Sequence, residues 1–144
     1  MRTSLAMLII ALAAVTVAAA FGEGEFRNSS GNTVGYLRSD GSVRNKSGNT
    51  VGYIKSNGDV RNSSGNTIGS IRSDGSIRNS SGNTIGKVDS DGTVRNSSGN
   101  SIGKVTSSGD VRNASGNSIG RATGSITQRE AAAFYFFFFT ELLD

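Results

Sequence analysis

The sequence predicts an all-β repeat protein in which six tandem β-hairpin units close into a ring around a C-terminal Phe-rich helix. Three observations support this prediction: a 17-residue motif repeated six times without insertion, two glycine turns in each copy, and an aromatic tail after the last copy. A fixed period of this length indicates supersecondary units that bury their apolar faces only by packing on one another.

The N-terminus resembles an export signal. Residues 1–20 begin with Met1 and Arg2, continue with an apolar run, and end with small residues at Ala18 and Ala20 that fit an Ala-x-Ala cleavage site. The apolar run is shorter than the ~20 residues that a bilayer-spanning helix needs, which disfavours the alternative of an uncleaved anchor. We therefore expect a cleaved signal peptide over 1–20, a short lead over 21–25, and an exported mature protein, periplasmic or extracellular.

The repeat domain is predicted over residues 26–126. In one copy, Ser42–Asn45 is predicted as a short strand and Asn49–Lys55 as a longer one, separated by three-residue loops that end in glycine. Such loops are typical of a type I turn followed by a left-handed glycine. The copies begin at Phe26, Val43, Val60, Ile77, Val94 and Val111, and the first turn of each ends at Gly31, Gly48, Gly65, Gly82, Gly99 and Gly116.

The three-residue loops also predict a register. Val43 is expected opposite Leu37 across one turn and opposite Val51 across the other. Val51 and Ile54 would lie on opposite faces of a regular strand, so a bulge at Gly52 is expected to turn both inward. The twelve strands could radiate as the petals of a miniature propeller or close as a barrel. A β-solenoid is the alternative, disfavoured because two glycine turns per copy suit hairpins better.

The C-terminal segment, residues 127–144, is predicted to be a hydrophobic helix. Thr127 and Glu130 form a capping-box pattern at its start. Aromatic side chains on every side of a helix must be buried on every side, which predicts a plug in the axis of the ring. An oligomer or partner anchor, a membrane span and a terminal strand for outer-membrane assembly are the alternatives. The predicted plug residues are Phe134, Phe136, Phe137, Phe138 and Phe139.

These parts together resemble the bacterial 5-fold beta-flower proteins, which combine an export leader, tandem units and a Phe-rich tail. The segments that carry the resemblance are Thr67–Ile77 and its sibling copies, Ile119–Ala122 and Phe136–Phe139. The resemblance covers essentially the whole mature chain, and it implies a fold but no catalytic residues. This chain has six Val/Ile-Gly units rather than five, so a wider axis and a looser fit of the plug are expected.

The composition argues against catalysis. The chain has no cysteine and no histidine, which removes disulfides, cysteine metal sites and the commonest general base. We expect no enzyme activity, catalytic residue, metal site or cofactor. Asp40, Asp74 and Asp91 are interpreted as turn formers rather than calcium ligands. The formal net charge of +4 is spread over similar units, so no nucleic-acid partner is expected.

One arginine recurs in each copy, and these arginines are the candidate binding residues. A circle of six guanidinium groups could bind carboxylates or phosphates. Alternatively, each points outward and bonds neighbouring turns. The sequence favours a structural scaffold or binding module of the cell envelope, with a glycan, an anionic polymer or a protein as partner. An oligomerising or membrane-associated protein acting through its tail is the alternative. The arginines are Arg27, Arg44, Arg61, Arg78, Arg95 and Arg112.

Overall fold

The structure is a computed structural model that describes residues 22–143, so the predicted leader, residues 1–20, lies outside the described residues. Among the residues that the structure describes, twelve antiparallel strands form one closed barrel. The strands are β1 Gly24–Asn28, β2 Thr33–Leu37, β3 Ser42–Asn45, β4 Thr50–Ile54, β5 Asp59–Asn62, β6 Thr67–Ile71, β7 Ser76–Asn79, β8 Thr84–Val88, β9 Thr93–Asn96, β10 Ser101–Val105, β11 Asp110–Asn113 and β12 Ser118–Ala122.

The barrel is an up-and-down meander in which each strand pairs with its neighbours in the sequence. It closes where β1 pairs with β12, placing Phe26 opposite Ala122 and Arg27 opposite Arg121. We call this β1–β12 junction the seam. Closure leaves no free sheet edge among the described strands, so their backbone hydrogen-bonding groups are paired within the barrel. The predicted ring of six hairpin units is therefore a barrel, rather than a propeller or a solenoid.

One end of the barrel, the asparagine end, carries the turns that follow the odd-numbered strands. In the turn after β3, the Asn45 side-chain oxygen accepts hydrogen bonds from the backbone N–H groups of Ser47 and Asn49, both at 3.0 Å. Gly48 has a φ of +87°, in the left-handed region that favours glycine. The same asparagine bonds recur in the other five copies, so this part of the motif is turn chemistry.

The opposite end, the helix end, carries the turns that follow the even-numbered strands up to β10. In the first of them, Asp40 accepts hydrogen bonds from the Ser42 hydroxyl at 2.7 Å and the Ser42 backbone N–H at 2.9 Å. These bonds favour the ionised carboxylate and lower the pKa of Asp40. Asp74 and Asp91 make equivalent bonds, to Ser76 and Thr93, and their pKa values are also lowered.

The register differs from the sequence prediction by one residue. Val43 pairs with Leu37, as predicted, but its partner on β4 is Gly52 rather than Val51. Val51 is the extra residue of a β-bulge, because the pairing shifts between Val43 and Arg44. The predicted bulge is therefore present, but its unpaired residue is Val51 rather than Gly52. The same shift recurs in the other five hairpins.

The core is a layer of apolar side chains, aliphatic apart from Phe26, inside the helix end of the barrel. The first residue of every copy is fully buried, at 0% exposure. These residues are Phe26, Val43, Val60, Ile77, Val94 and Val111. Their cross-strand partners are also buried, apart from Ile71, which is only partly buried. This layer supports the aromatic tail, which enters the barrel from the helix end.

The tail is helical but not one α-helix. Helix α1 spans Gln128–Ala132, a π-helical segment spans Ala133–Phe138, and a 3₁₀ turn spans Thr140–Leu143. The predicted capping box is present: the Thr127 hydroxyl accepts from the Glu130 N–H, and the Glu130 carboxylate accepts from the Thr127 N–H. Over the described part of the chain, no helix combines the length and apolarity needed to cross a bilayer.

Candidate functional site

Each aromatic ring of the tail packs against one hairpin of the barrel. Each ring of the run contacts the glycine that follows the bulged Val or Ile of one hairpin, and a methyl group at any of these glycines would lie within 3.3 Å of the ring. The pairs are Phe134 with Gly35, Tyr135 with Gly120, Phe136 with Gly103, Phe137 with Gly86, Phe138 with Gly69 and Phe139 with Gly52.

Consecutive tail residues therefore step from one hairpin to the next and complete one circuit of the barrel in six residues. An α-helix completes a turn in 3.6 residues, so it would place successive rings too far apart in angle. The π-helical turn contains more residues, so the angle between successive side chains about the helix axis is smaller and closer to the angle between neighbouring hairpins. The tail supplies one ring for each of the six hairpins, and the glycines admit all of them. The expectation of a looser fit than in a five-unit ring stays a prediction.

The seam has its own packing. Phe26 is aromatic where the other copies begin with Val or Ile, and its ring stacks on Phe134 at 3.7 Å between centroids and 3° between planes. It meets the edge of Tyr135 at 5.9 Å and 75°. The residue opposite Phe26 across the seam is Ala122, where other hairpins place Leu, Ile or Val. A large and a small side chain thus share the space that two aliphatic side chains fill elsewhere.

Tyr135 connects the plug to both strands of the seam. Its hydroxyl lies 2.6 Å from the carbonyl oxygen of Arg27 on β1 and 3.1 Å from that of Arg121 on β12. Burial raises the pKa of this hydroxyl well above its usual value, which keeps it protonated as a donor. The sequence prediction left Tyr135 out of the plug residues. The signals that could have identified it are the single tyrosine within the phenylalanine run and the aromatic Phe26 at a position that is aliphatic in the other copies.

Replacing Tyr135 with phenylalanine is expected to lower the free energy of unfolding by about 1–3 kcal/mol, because it removes the only polar group of the plug that bonds the seam. Urea unfolding followed by circular dichroism measures the change. Tyr53→Phe on the outer wall is the matched control and should change stability little. Equal effects of the two substitutions would contradict the seam role of Tyr135.

The six recurring arginines lie on the outer wall, each beside its own hairpin. Four are ion-paired: Arg27 with Glu25 at 3.1 Å, Arg61 with Asp59 at 3.2 Å, Arg95 with Asp89 and Arg112 with Asp110, both at 2.8 Å.

The other two, Arg44 and Arg78, donate to the turn carbonyl oxygens of Gly48 and Gly82. The arginines form a belt around the barrel and do not converge on a pocket. Within residues 22–143, no group of three or more acidic side chains is placed to hold a metal ion.

Three directly opposed cation pairs lie side by side on one half of this wall. Lys87 pairs with Arg95, Lys104 with Arg112, and Arg121 with Arg27 across the seam. In each pair the arginine of the belt is ion-paired and its partner is exposed. Among the described residues, no ion pair is made by the exposed partner cations, which are Lys87, Lys104 and Arg121.

These features define the class of protein: a closed antiparallel barrel of tandem hairpins whose axis is packed by its own aromatic tail. The family model of the 5-fold beta-flower protein matches residues 23–139. The chain belongs to the 5-fold beta-flower family, here with six hairpins. Comparison with curated proteins finds no match, and comparison with solved structures finds none either.

Proposed function

We propose that this chain is an exported, non-enzymatic binding module of the bacterial cell envelope, whose outer wall holds an anionic polysaccharide. The observation that carries the proposal is the filled interior. Because one aromatic ring occupies the space beside each inner glycine, a ligand has access to the outer wall and the ends of the barrel only. The leader predicted over residues 1–20 is the reason to place this module outside the cytoplasm.

The charge on the outer wall supports an anionic partner. Like charges directly opposite each other destabilise a sheet, and three such pairs occur on adjacent hairpins. Adjacent strands lie about 4.8 Å apart, so equivalent cations recur roughly every 10 Å around the wall. Because the belt arginine of each pair already has a carboxylate partner, carboxylate or phosphate groups along a flexible polymer would pair with the exposed cations at several points at once, giving useful affinity from weak single contacts.

Association through the tail, the alternative function, has less support. Phe134, Tyr135 and Phe139 are 2% exposed or less, so half of the aromatic run has no surface to offer a partner. Phe136, Phe137 and Phe138 are only partly buried, but each contacts its glycine from inside the barrel. The aromatic run is accounted for by filling the barrel.

Binding of the chain lacking residues 1–20 to polygalacturonate is expected, with no binding to the neutral polymer dextran. Sodium chloride should weaken the complex, because exposed charges are screened within about 10 Å at 0.1 M salt. The double variant Lys104→Gln with Arg121→Gln should weaken binding roughly three- to tenfold, taking about 0.3–0.7 kcal/mol for each exposed cation. Biolayer interferometry with immobilised polymer measures these affinities.

The matched control is Arg38→Gln with Lys46→Gln, which removes the same charge from exposed residues away from this half of the wall. It should bind like the unmodified chain. Equal weakening by both double variants would point to net charge alone and contradict the assignment to this face. Absence of binding to polygalacturonate at low salt would overturn the proposed function.

A further inference from the structure

The helix end of the barrel contains a cleft that the sixfold repeat alone would not produce. Helix α1 packs towards β8 and β10, and the Gln128 side chain donates to the Val105 carbonyl oxygen at 2.9 Å. The opposite side of the end is left open, between α1 and the turns that follow β4 and β6. This cleft has a volume of about 520 Å³, within the range of small-ligand sites.

The burial of the inner aliphatic layer shows the same asymmetry. Of the six residues that lie opposite the first residues of the copies, five are at most 6% exposed, but Ile71 on β6 is only partly buried and lines the cleft. The five are Leu37, Ile54, Val88, Val105 and Ala122. The cleft therefore has an apolar base formed by Ile54 and Ile71, surrounded by the polar groups of two turns.

Three cations line the cleft: Lys55, Arg72 and Arg129. Within the described residues the ion pairs involve other arginines, so these three have no carboxylate partner. The Lys55 ammonium lies 4.8 Å from the ring centroid of Tyr53. The acidic side chain of the cleft, Glu130, is engaged by the Thr127 N–H in the capping box. The cleft thus offers unpaired positive charge beside an apolar surface.

The repeat sequence explains why the cations occur here. Arg38, Lys55, Arg72, Asp89 and Thr106 occupy the same position in successive turns of the helix end. Lys55 and Arg72 face the open side of α1. On another side of Arg129 lies a second cleft of about 490 Å³, lined by the aspartates of two turns, Asp74, Asp89 and Asp91, together with Lys87. Of the two clefts beside Arg129, the one with Lys55 and Arg72 suits an anion and the other does not.

We propose that this cleft binds one negatively charged sugar unit, such as an end or branch of an acidic polysaccharide. The anionic group is held by Arg72 and Arg129, which bind carboxylate or phosphate through planar guanidinium forks. The sugar ring lies against Ile71, and the hydroxyl groups of Ser56 and Ser73 are available to its hydroxyls. This inference rests on the proposed function and assigns it an end-group site distinct from the outer wall.

Titration with galacturonate tests the site, using isothermal calorimetry and ¹⁵N–¹H chemical shifts on the chain lacking residues 1–20. Saturable binding is expected, with shift changes confined to the turns after β4 and β6 and to α1. Arg72→Ala and Arg129→Ala should each weaken binding about tenfold or more, because each removes charge-assisted hydrogen bonds worth about 1.5–3 kcal/mol. Glucose 1-phosphate tests whether a phosphate is bound in place of the carboxylate. Methyl galactoside, which is neutral, should not bind.

Arg38→Ala is the matched control, because Arg38 occupies the same turn position but does not line the cleft. It should change galacturonate affinity less than twofold. Equal losses in Arg38→Ala and Arg72→Ala, or shift changes scattered over the wall, would overturn the site. If galacturonate fails to bind while polygalacturonate still binds through Lys104 and Arg121, the cleft assignment falls and the proposed function stands. If neither binds, both fall.

Discussion

Replacing Phe134 with alanine is expected to lower the free energy of unfolding by about 3–5 kcal/mol. The Phe134 ring is fully buried, stacks on Phe26 and contacts Gly35, so its removal leaves a cavity beside the seam. Rigid strands on all sides of the barrel limit the collapse that would refill this cavity. Since domains of this kind are stable by only about 5–15 kcal/mol, the loss would be a large fraction of the total. Urea unfolding followed by circular dichroism measures it.

Phe137→Ala is the matched control, because it makes the same chemical change at a ring that is only partly buried. It should cost clearly less than Phe134→Ala. Should Phe134→Ala fail to fold, Phe134→Leu retains most of the apolar volume and is expected to fold with an intermediate loss. A loss of less than about 1 kcal/mol in the free energy of unfolding for Phe134→Ala would contradict the packing of the plug against the seam.

Replacing Gly52 with alanine is expected to destabilise the barrel by about 1–3 kcal/mol through overpacking. The added methyl group would lie 2.7 Å from the nearest carbon of the Phe139 ring and 2.5 Å from the Arg61 carbonyl oxygen. Phe139 is 2% exposed and has little space in which to move. The requirement for glycine at this position comes from the plug and the neighbouring strand, rather than from a turn conformation. Thermal unfolding of the variant measures the effect.

Gly35→Ala is the comparison variant, since its methyl group would lie 3.3 Å from the nearest Phe134 carbon and 2.9 Å from the Arg44 carbonyl oxygen. It should cost less than Gly52→Ala. A double-mutant cycle with Phe139→Leu separates the two contacts: the part of the Gly52→Ala loss due to the ring should be recovered in the double variant. If the double-mutant cycle shows no coupling, contact with the Phe139 ring is not the reason that alanine is unfavourable at Gly52.

Much of the fold was predictable from the sequence because it follows from local chemistry repeated at a fixed period. The 17-residue spacing, the glycine turns and the alternating aliphatic positions predicted twelve short strands in a closed ring. The capping box at Thr127 predicted where helix α1 begins. Each of these features depends on residues close together in the chain, so each can be read without knowledge of distant neighbours.

The candidate sites were less predictable, because they depend on which distant residues meet. The sequence left open whether the recurring arginines form a binding circle or bond neighbouring turns, and in the structure each bonds within its own hairpin or its turn. The cleft depends on α1 packing to one side of the helix end, which brings Arg129 near Lys55 and Arg72. No spacing in the sequence reports that displacement, since the six hairpins are nearly equivalent.

By itself, the sequence determined the hairpin unit, the number of copies and the need to bury an aromatic tail. Only the tertiary structure decided that the ring is a barrel, that the aromatic run is π-helical, and that each ring contacts one glycine. The physical reason is that turn and strand preferences act over a few residues. Ring closure and the pitch of the plug are set by the space that all six hairpins leave together, which no single copy encodes.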